Sequence, residues 1–260
     1  MRTAVTTIRN STASIIGEAK ARACALGFPY FQREDTLEDM VARYGVDGFL
    51  IYGKQLPYYW NGGEEYRFHM GTAVLRTSQM EKGNQDRLCR LLPSDRFCSV
   101  LDCTFGQAGD SSTMSWYLGD RGHVTALEKS DILYEIGRAG IAGYVDKEER
   151  LTQAVRRISL LHQDFKTFLS QAEPKSFDVI YFDPMFHHPV KREVNDMEGF
   201  RRAASYDGLE EEVLRLAMNV ARQKIIVKER PFSPLFRNGL FTEIHGKKGQ
   251  TTAYGVILLK

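Results

Sequence analysis

Phe97-Cys-Ser-Val-Leu-Asp102-Cys-Thr-Phe-Gly106-Gln-Ala-Gly109-Asp110-Ser-Ser112 is the stretch on which the fold turns. Residues 97–101 form an apolar run of strand length. Gly106 and Gly109 supply a tight turn that lets backbone approach a ligand, and Asp110-Ser-Ser caps a helix predicted to run to Leu118. The same rhythm continues outward. Residues 123–127, 158–161, 177–182 and 224–227 read as strands, and 132–142, 148–157, 165–171 and 209–222 as helices. Strands alternating with helices require right-handed crossovers and a parallel sheet covered on both faces. The expected fold is therefore doubly wound, Rossmann-like α/β. Its end breaks the alternation, because 240–244 and 252–259 read as two strands joined by the turn His245-Gly-Lys-Lys-Gly249, a C-terminal antiparallel hairpin.

Before this region the pattern is mixed. A strand at 3–8, helices at 11–26 and from Thr36, and a strand at 48–52 precede an aromatic hairpin, in which Tyr58, Tyr59, Trp60, Tyr66 and Phe68 flank Asn61-Gly62-Gly63. A short helix from Asn84 stops at Pro93. These features predict a small α+β appendage over 1–94, suited to RNA binding or oligomerisation, and a main domain over 95–260. The 260 residues are 43% hydrophobic and 26% charged, enough apolar material for a large core, so a disordered or collagenous chain is excluded. No apolar run reaches the roughly 18 residues of a membrane span, and MRTAVTTIRN lacks a secretory apolar region, so a cytoplasmic address is expected. Cys24, Cys89, Cys98 and Cys103 show no C-x-x-C spacing and are expected as buried thiols. The net charge of +2 neither demands nor excludes nucleic acid, although 184–260 carries 13 Lys and Arg against 9 Asp and Glu.

In doubly wound sheets ligands sit beyond the carboxyl ends of the strands, so the residues after each strand carry the chemistry. A turn feeding a helix can bind phosphate, but Asp102 and Asp110 at its two edges favour a cationic ligand such as a sulfonium amino acid, and G-x-G-x-x-G is absent. Glu128, 22 residues after Gly106 and followed by Lys129, stands where an acid accepts both ribose hydroxyls of an adenosine cofactor. Asp164 stands where an adenine amino group can be accepted, or where a helix is capped, and Phe165 where the ring can be covered.

The strand at 177–182 ends in Asp183-Pro184-Met185-Phe186, a variant of the D/N-P-P-Y/F/W motif of amino-methylating enzymes. The lone pair of an exocyclic base nitrogen is delocalised into the ring and must be localised by hydrogen bonds. Asp183 can accept one N–H and the Pro184 carbonyl the other, while Phe186 stacks on the base. Beyond it, Lys191 and Arg192, and Lys228 and Arg230 after the next strand, are candidate phosphate contacts. His187 and His188 read as a solvated loop.

Together, D102-x-T-x-G-x-x-x-D110, L-E128-K, D183-P-M-F and V-K228-E-R230-P resemble the bacterial small-subunit ribosomal RNA guanine-N2 methyltransferase J family and its relatives in Gram-positive bacteria. The resemblance runs from about Phe68 to the C-terminus. The segment Phe68-His69-Met70-Gly71 through Arg76, Gly83 and Asp86 looks like the stretch leading into this domain in those relatives. It implies a class I methyltransferase fold, which also ends in an antiparallel hairpin. It further implies S-adenosylmethionine (SAM) as cofactor, no metal, and the 2-amino group of a guanine in small-subunit ribosomal RNA as target. The family's cofactor contacts then fall on Gly109-Asp110, Glu128-Lys129, Asp164-Phe165 and Asp183. Two positions depart: the family usually has Arg-Asp where this chain has Gly109-Asp110, and often Pro where it has His187. Two other readings stay open. One is the same cofactor acting on DNA, a protein amide or a small amine; the other is a catalytically silent methyltransferase fold that binds RNA.

Overall fold

The structure, a computed structural model, describes residues 2–184, 209–246 and 249–259. In chain order its elements are β1 (Thr3–Thr7), α1 (Ala13–Leu26), α2 (Leu37–Tyr44), β2 (Gly48–Tyr52), β3 (Tyr58–Trp60), β4 (Glu65–Arg67) and α3 (Gly71–Glu81). There follow β5 (Cys98–Asp102), α4 (Gly109–Leu118), β6 (Gly122–Glu128), α5 (Asp131–Gly143), α6 (Glu149–Arg156), β7 (Ser159–His162) and α7 (Phe165–Gln171). The last are β8 (Phe177–Phe182), α8 (Glu211–Val220), β9 (Ala221–Glu229), β10 (Glu243–His245) and β11 (Ala253–Leu258). No helix among the described residues is long and apolar enough to cross a membrane.

The larger compact unit contains Met70–Lys129 and the described parts of the chain after Tyr144. Its seven strands run in the order β10-β11-β9-β8-β5-β6-β7, and β5 through β9 are parallel. β11 runs antiparallel between β9 and β10, so the expected terminal hairpin closes the sheet by inserting its second strand. The period-2 alternation of the strands sorts the core into two layers. Ile180 and Phe182 pack with Leu169, Val213, Leu214 and Ala217 of α7 and α8, whereas Val179 and Tyr181 pack with Met114 and Leu118 of α4. The doubly wound α/β expectation holds. The boundary between the last helix and its strand moves: α8 ends at Val220, two residues before the expected helix end. Ala221 is extended and pairs with Phe177, while Gln223 and Arg222 reach Asp178 at 3.0 and 3.5 Å and belong to β9.

The smaller unit contains residues 2–69 and Ser130–Gly143. β1 and β2 pair in parallel and β2-β3-β4 form an antiparallel meander, with Met40, Phe49, Ile51 and Trp60 in the core. Caps set the helices: Thr12 and Thr36 accept the amides of Ile15 and Asp39, and Gly27 and Gly45 close the helices at φ of 68° and 62°. α5 belongs to this unit because buried Glu135 gathers Arg22, Arg138 and the Tyr52 hydroxyl, and because Gly140 lies against Phe68, whose ring a Cβ at Gly140 would meet at 2.2 Å.

Compact units thus divide at Met70 rather than near Pro93. Leu88 and Leu92 are buried with Val100 and Met114 of the larger unit, which draws 70–94 into it. No element is expected from the sequence at 71–81, where the structure has α3. Its start carries no side-chain cap and no acidic residue, so the usual start signals are missing. Cys89, Cys98 and Cys103 are buried thiols as expected, but Cys24 is exposed on α1, a correction that follows from its place among exposed residues of that helix.

Candidate active site

Strand order reverses between β5 and β8, so the carboxyl ends of these two strands frame the crevice where a doubly wound sheet takes its ligand. The loop after β5 is stitched to both neighbours: the Cys103 amide donates to the Tyr181 carbonyl at 2.9 Å and the Phe105 amide to the Leu127 carbonyl at 3.1 Å. Within it Gly106 has a φ of 52° and Ala108 one of 63°, while Gly109 is already helical. A non-glycine residue in the left-handed region stores about 1 kcal/mol or more, and such strain concentrates at ligand-binding turns.

Four expected cofactor residues line the strand ends. Asp102 is 1% exposed and accepts the Thr104 amide at 3.0 Å and the Ser111 hydroxyl at 2.5 Å; burial pushes its carboxyl up to about 6. Glu128 ends β6 and accepts the Gly106 amide at 3.1 Å, so the acid and the glycine turn, far apart in sequence, meet. Asp164 caps α7 by accepting the Thr167 amide at 2.9 Å and pairs with Lys129 at 3.4 Å. Phe165 is half-buried and packs edge-on against Phe182 with centroids 5.8 Å apart, a core contact.

Asp183 follows β8. Its amide donates to Thr104 Oγ1 at 2.7 Å, and its Oδ2 accepts from Lys228 Nζ at 2.6 Å. Burial and the nearby Asp110 push its carboxyl above the usual range, against the pull of Lys228. Lys228, expected as a phosphate contact, also donates to Asp110 Oδ2 at 3.0 Å, and although burial opposes it the two carboxylates hold its ammonium above its ordinary value. Asp110, expected to face a cofactor, accepts in addition from the Tyr181 hydroxyl at 2.8 Å and from Arg76. Burial opposes its charge, but Lys228 and Arg76 hold it below the ordinary carboxylate range. Arg76 grips Asp86 through two 2.8 Å bonds, and Asp86 Oδ1 accepts the amides of Leu88 and Cys89.

Arg76 and Tyr181 have roles that residue spacing did not assign. The signal for Tyr181 was present: period-2 alternation sends it to the face opposite Ile180 and Phe182, with its hydroxyl near the strand end. Pro184 ends the described stretch after β8. Met185, Phe186, His187, His188, Lys191 and Arg192 lie outside the described residues. Arg230 occupies the turn after β9, its amide on Glu229 at 2.8 Å and its carbonyl accepting the Ser233 amide at 3.0 Å.

The donor set decides what kind of ligand fits. Asp102, Glu128, Asp164 and Asp183 give the strand ends a row of carboxylates, which accepts ribose hydroxyls and amino groups and suits a cationic sulfonium, while repelling a pyrophosphate. The residues present therefore fit SAM.

Known proteins agree with this reading. A family model described as "Putative SAM-dependent methyltransferase" matches residues 65–250. The chain is 29% identical to YpiP of Bacillus subtilis over 254 residues, covering 97% of this chain and 98% of that one. It is 31% identical over 163 residues to the ribosomal RNA small subunit methyltransferase J of Cellvibrio japonicus, covering 60% of each. It is 29% identical over 138 residues to the enzyme of the same name from Desulfotalea psychrophila, covering 52% of this chain and 51% of that one. The match thus spans less than two thirds of either methyltransferase J. The crystal structure of a SAM-dependent methyltransferase from Neisseria gonorrhoeae superposes with a TM-score of 0.64 at 16% identity, covering 98% of this chain and 95% of that one, a likeness of fold. With the sheet order, the carboxylate row and a family match over most of its length, the chain belongs to the class I SAM-dependent methyltransferases.

Proposed function

We propose that this protein methylates the exocyclic 2-amino group of a guanine in small-subunit ribosomal RNA. The observation that carries the reading is Asp183-Pro184 at the end of β8, beside the strand-order reversal and next to the SAM-suited carboxylates. Likeness to the methyltransferase J proteins supports the choice of ribosomal RNA.

When bound, SAM supplies an electrophilic methyl group on a sulfonium. Asp102, Glu128 and Asp164 hold its amino and hydroxyl groups. Asp183 accepts one N–H of the target amine and the Pro184 carbonyl accepts the other, which turns the nitrogen lone pair toward the methyl. The cofactor would supply the methyl that replaces one N–H hydrogen, and Asp183 would take up the proton that the target nitrogen loses. Arg230, with Lys191 and Arg192, contacts phosphates. Phe232 adds support for a nucleic-acid target: it is 81% exposed on a turn that Glu229 braces through the Ser233 hydroxyl at 2.8 Å, so an exposed aromatic shares the turn just past β9 with Arg230. Unpaired bases are held by this combination.

The test is methyl transfer from labelled SAM to small subunits and ribosomal RNA from a strain lacking this protein, with DNA and free nucleosides as controls and mass mapping of the product. N2-methylguanine at one RNA position is expected. Transfer to DNA or a small amine alone, or SAM binding without transfer to any of these, overturns the reading.

A further inference from the structure

Asp86, Arg76, Asp110, Lys228 and Asp183 form a row of alternating charge in which each group touches the next. Its side chains are between 10% and 28% exposed, and the row ends on the proposed acceptor of the target amine. With every member ionised the row would carry a net charge of −1, and its terminal carboxyl, Asp183, is the one that burial and Asp110 push above the usual range.

Backbone register explains why Lys228 reaches that end. Phe182 pairs with Val227 across β8 and β9, so Asp183, just past β8, and Lys228, still within β9, stand side by side. Asp110 is secured from its far side by Arg76 and Tyr181, and that side is anchored through Asp86 to the amides of Leu88 and Cys89. The ammonium of Lys228 thus has a fixed seat, and the second carboxylate it touches is Asp183.

We propose that Lys228 is a positioning residue for methyl transfer: seated on Asp110, it orients the Asp183 carboxylate and favours its ionised form, so that Asp183 accepts the target N–H. The proposal rests on the role given to Asp183 above. Asp110 already favours a proton on Asp183, and Lys228 opposes it; without Lys228 the two neighbouring carboxylates lose the charge between them and hold a proton more tightly. A protonated Asp183 turns an acceptor oxygen into a donor facing an N–H. The charged and titratable groups that act on Asp183 are Lys228 from β9, Asp110 from α4 and Tyr181 from β8, while Tyr254 from β11 acts on Lys228 and Asp110, and Arg76 from α3 on Asp110.

The test compares wild type, Lys228→Met and Lys228→Arg in two measurements. Carbon-13 NMR follows the Asp183 side-chain carboxyl through a pH titration, assigned with Asp183→Asn; the pH dependence of single-turnover transfer to RNA is recorded in parallel. The Asp183 midpoint in Lys228→Met is expected to rise by about one pH unit or more, with the rate profile moving in step, and Lys228→Arg to restore both. SAM affinity should change by less than about threefold, since the row acts on the acceptor. An unchanged midpoint in Lys228→Met overturns the proposal. Should that variant not fold, Lys228→Gln keeps hydrogen bonding without the charge and reads the same shift. If wild type methylates no RNA, the proposed reaction fails while the NMR titration still decides the role of Lys228.

Discussion

The Asp183 amide is tied to Thr104 Oγ1 at 2.7 Å, so the residue after β8 takes its position from the loop after β5. The Thr104 amide is itself fixed on Asp102 at 3.0 Å. Thr104→Val keeps the shape and removes the acceptor, leaving a partly buried N–H without its partner. A stability loss of about 1–2 kcal/mol is expected from urea unfolding. Because misplacement by an ångström costs on the order of 100-fold in an oriented reaction, single-turnover transfer should fall about 10- to 100-fold, with SAM affinity nearly unchanged. Thr104→Ser should behave close to wild type.

Asp183→Asn tests the acceptor directly. The variant matches the size of the carboxylate but is neutral and presents an amide donor as well. Transfer should drop by about 100-fold or more, while calorimetry finds SAM affinity within severalfold of wild type. The converse result, cofactor binding lost and transfer intact at saturating SAM, would contradict the assignment.

Local periodicity made the main sheet legible, because each central strand is a short apolar run, and two of the crossover helices are marked by a cap, α7 by Asp164 at its start and α4 by Gly119 at its end. Asp102, Glu128 and Asp183 were readable for the same reason: a doubly wound sheet puts whatever follows its strands at one edge. Contacts between residues remote in sequence were not readable. Arg76 meets Asp110 and Lys228 meets Asp183 across 34 and 45 positions, and nothing local distinguishes a lysine that will be seated between carboxylates from one that faces phosphate. The division of the chain was obscured likewise, since α5 has the pattern of an ordinary crossover helix, yet Glu135 and Gly140 give it partners at Arg22, Tyr52 and Phe68.

Glu135 is fully buried and accepts from Arg22, Arg138 and the Tyr52 hydroxyl. Burial raises its pKa, but the three donors win and hold it below the usual carboxylate range. Glu135→Ala leaves two partly exposed guanidinium groups and a buried hydroxyl without their acceptor, and should cost about 2–3 kcal/mol, at the low end for a broken buried pair because the arginines retain water. A depressed carboxylate pKa gives stability that is present above its unfolded value and lost as pH falls through the folded one. Wild type should therefore lose more of its melting temperature than Glu135→Ala as pH drops below about 4.

Phe232→Ala addresses the RNA reading. The side chain is 81% exposed, so its removal should leave the melting temperature unchanged, whereas losing a stacked base costs about 1–3 kcal/mol of RNA affinity. Filter binding at fixed salt should show a roughly 5- to 100-fold weaker complex with unaltered salt dependence, since no charge has been removed. Equal affinity of variant and wild type would remove Phe232 from the RNA surface.

As a proposed cofactor residue, Asp102 is expected to make SAM binding depend on pH. Burial raises its carboxyl from 3.8 to about 6, so the folded protein holds a proton that the unfolded chain has released. The stability this contributes is full below about 3.8 and disappears as pH rises through about 6. A cationic amino group bound near Asp102 prefers the ionised carboxylate, so affinity runs the other way and grows over the same interval. The shift in melting temperature caused by SAM should thus be larger at pH 7.5 than at pH 5.5, by an amount reflecting at most about a fourfold change in affinity. Asp102→Asn has no proton to lose and should show equal shifts at the two pH values. A wild-type shift that does not grow between them would place the ligand's amino group away from Asp102.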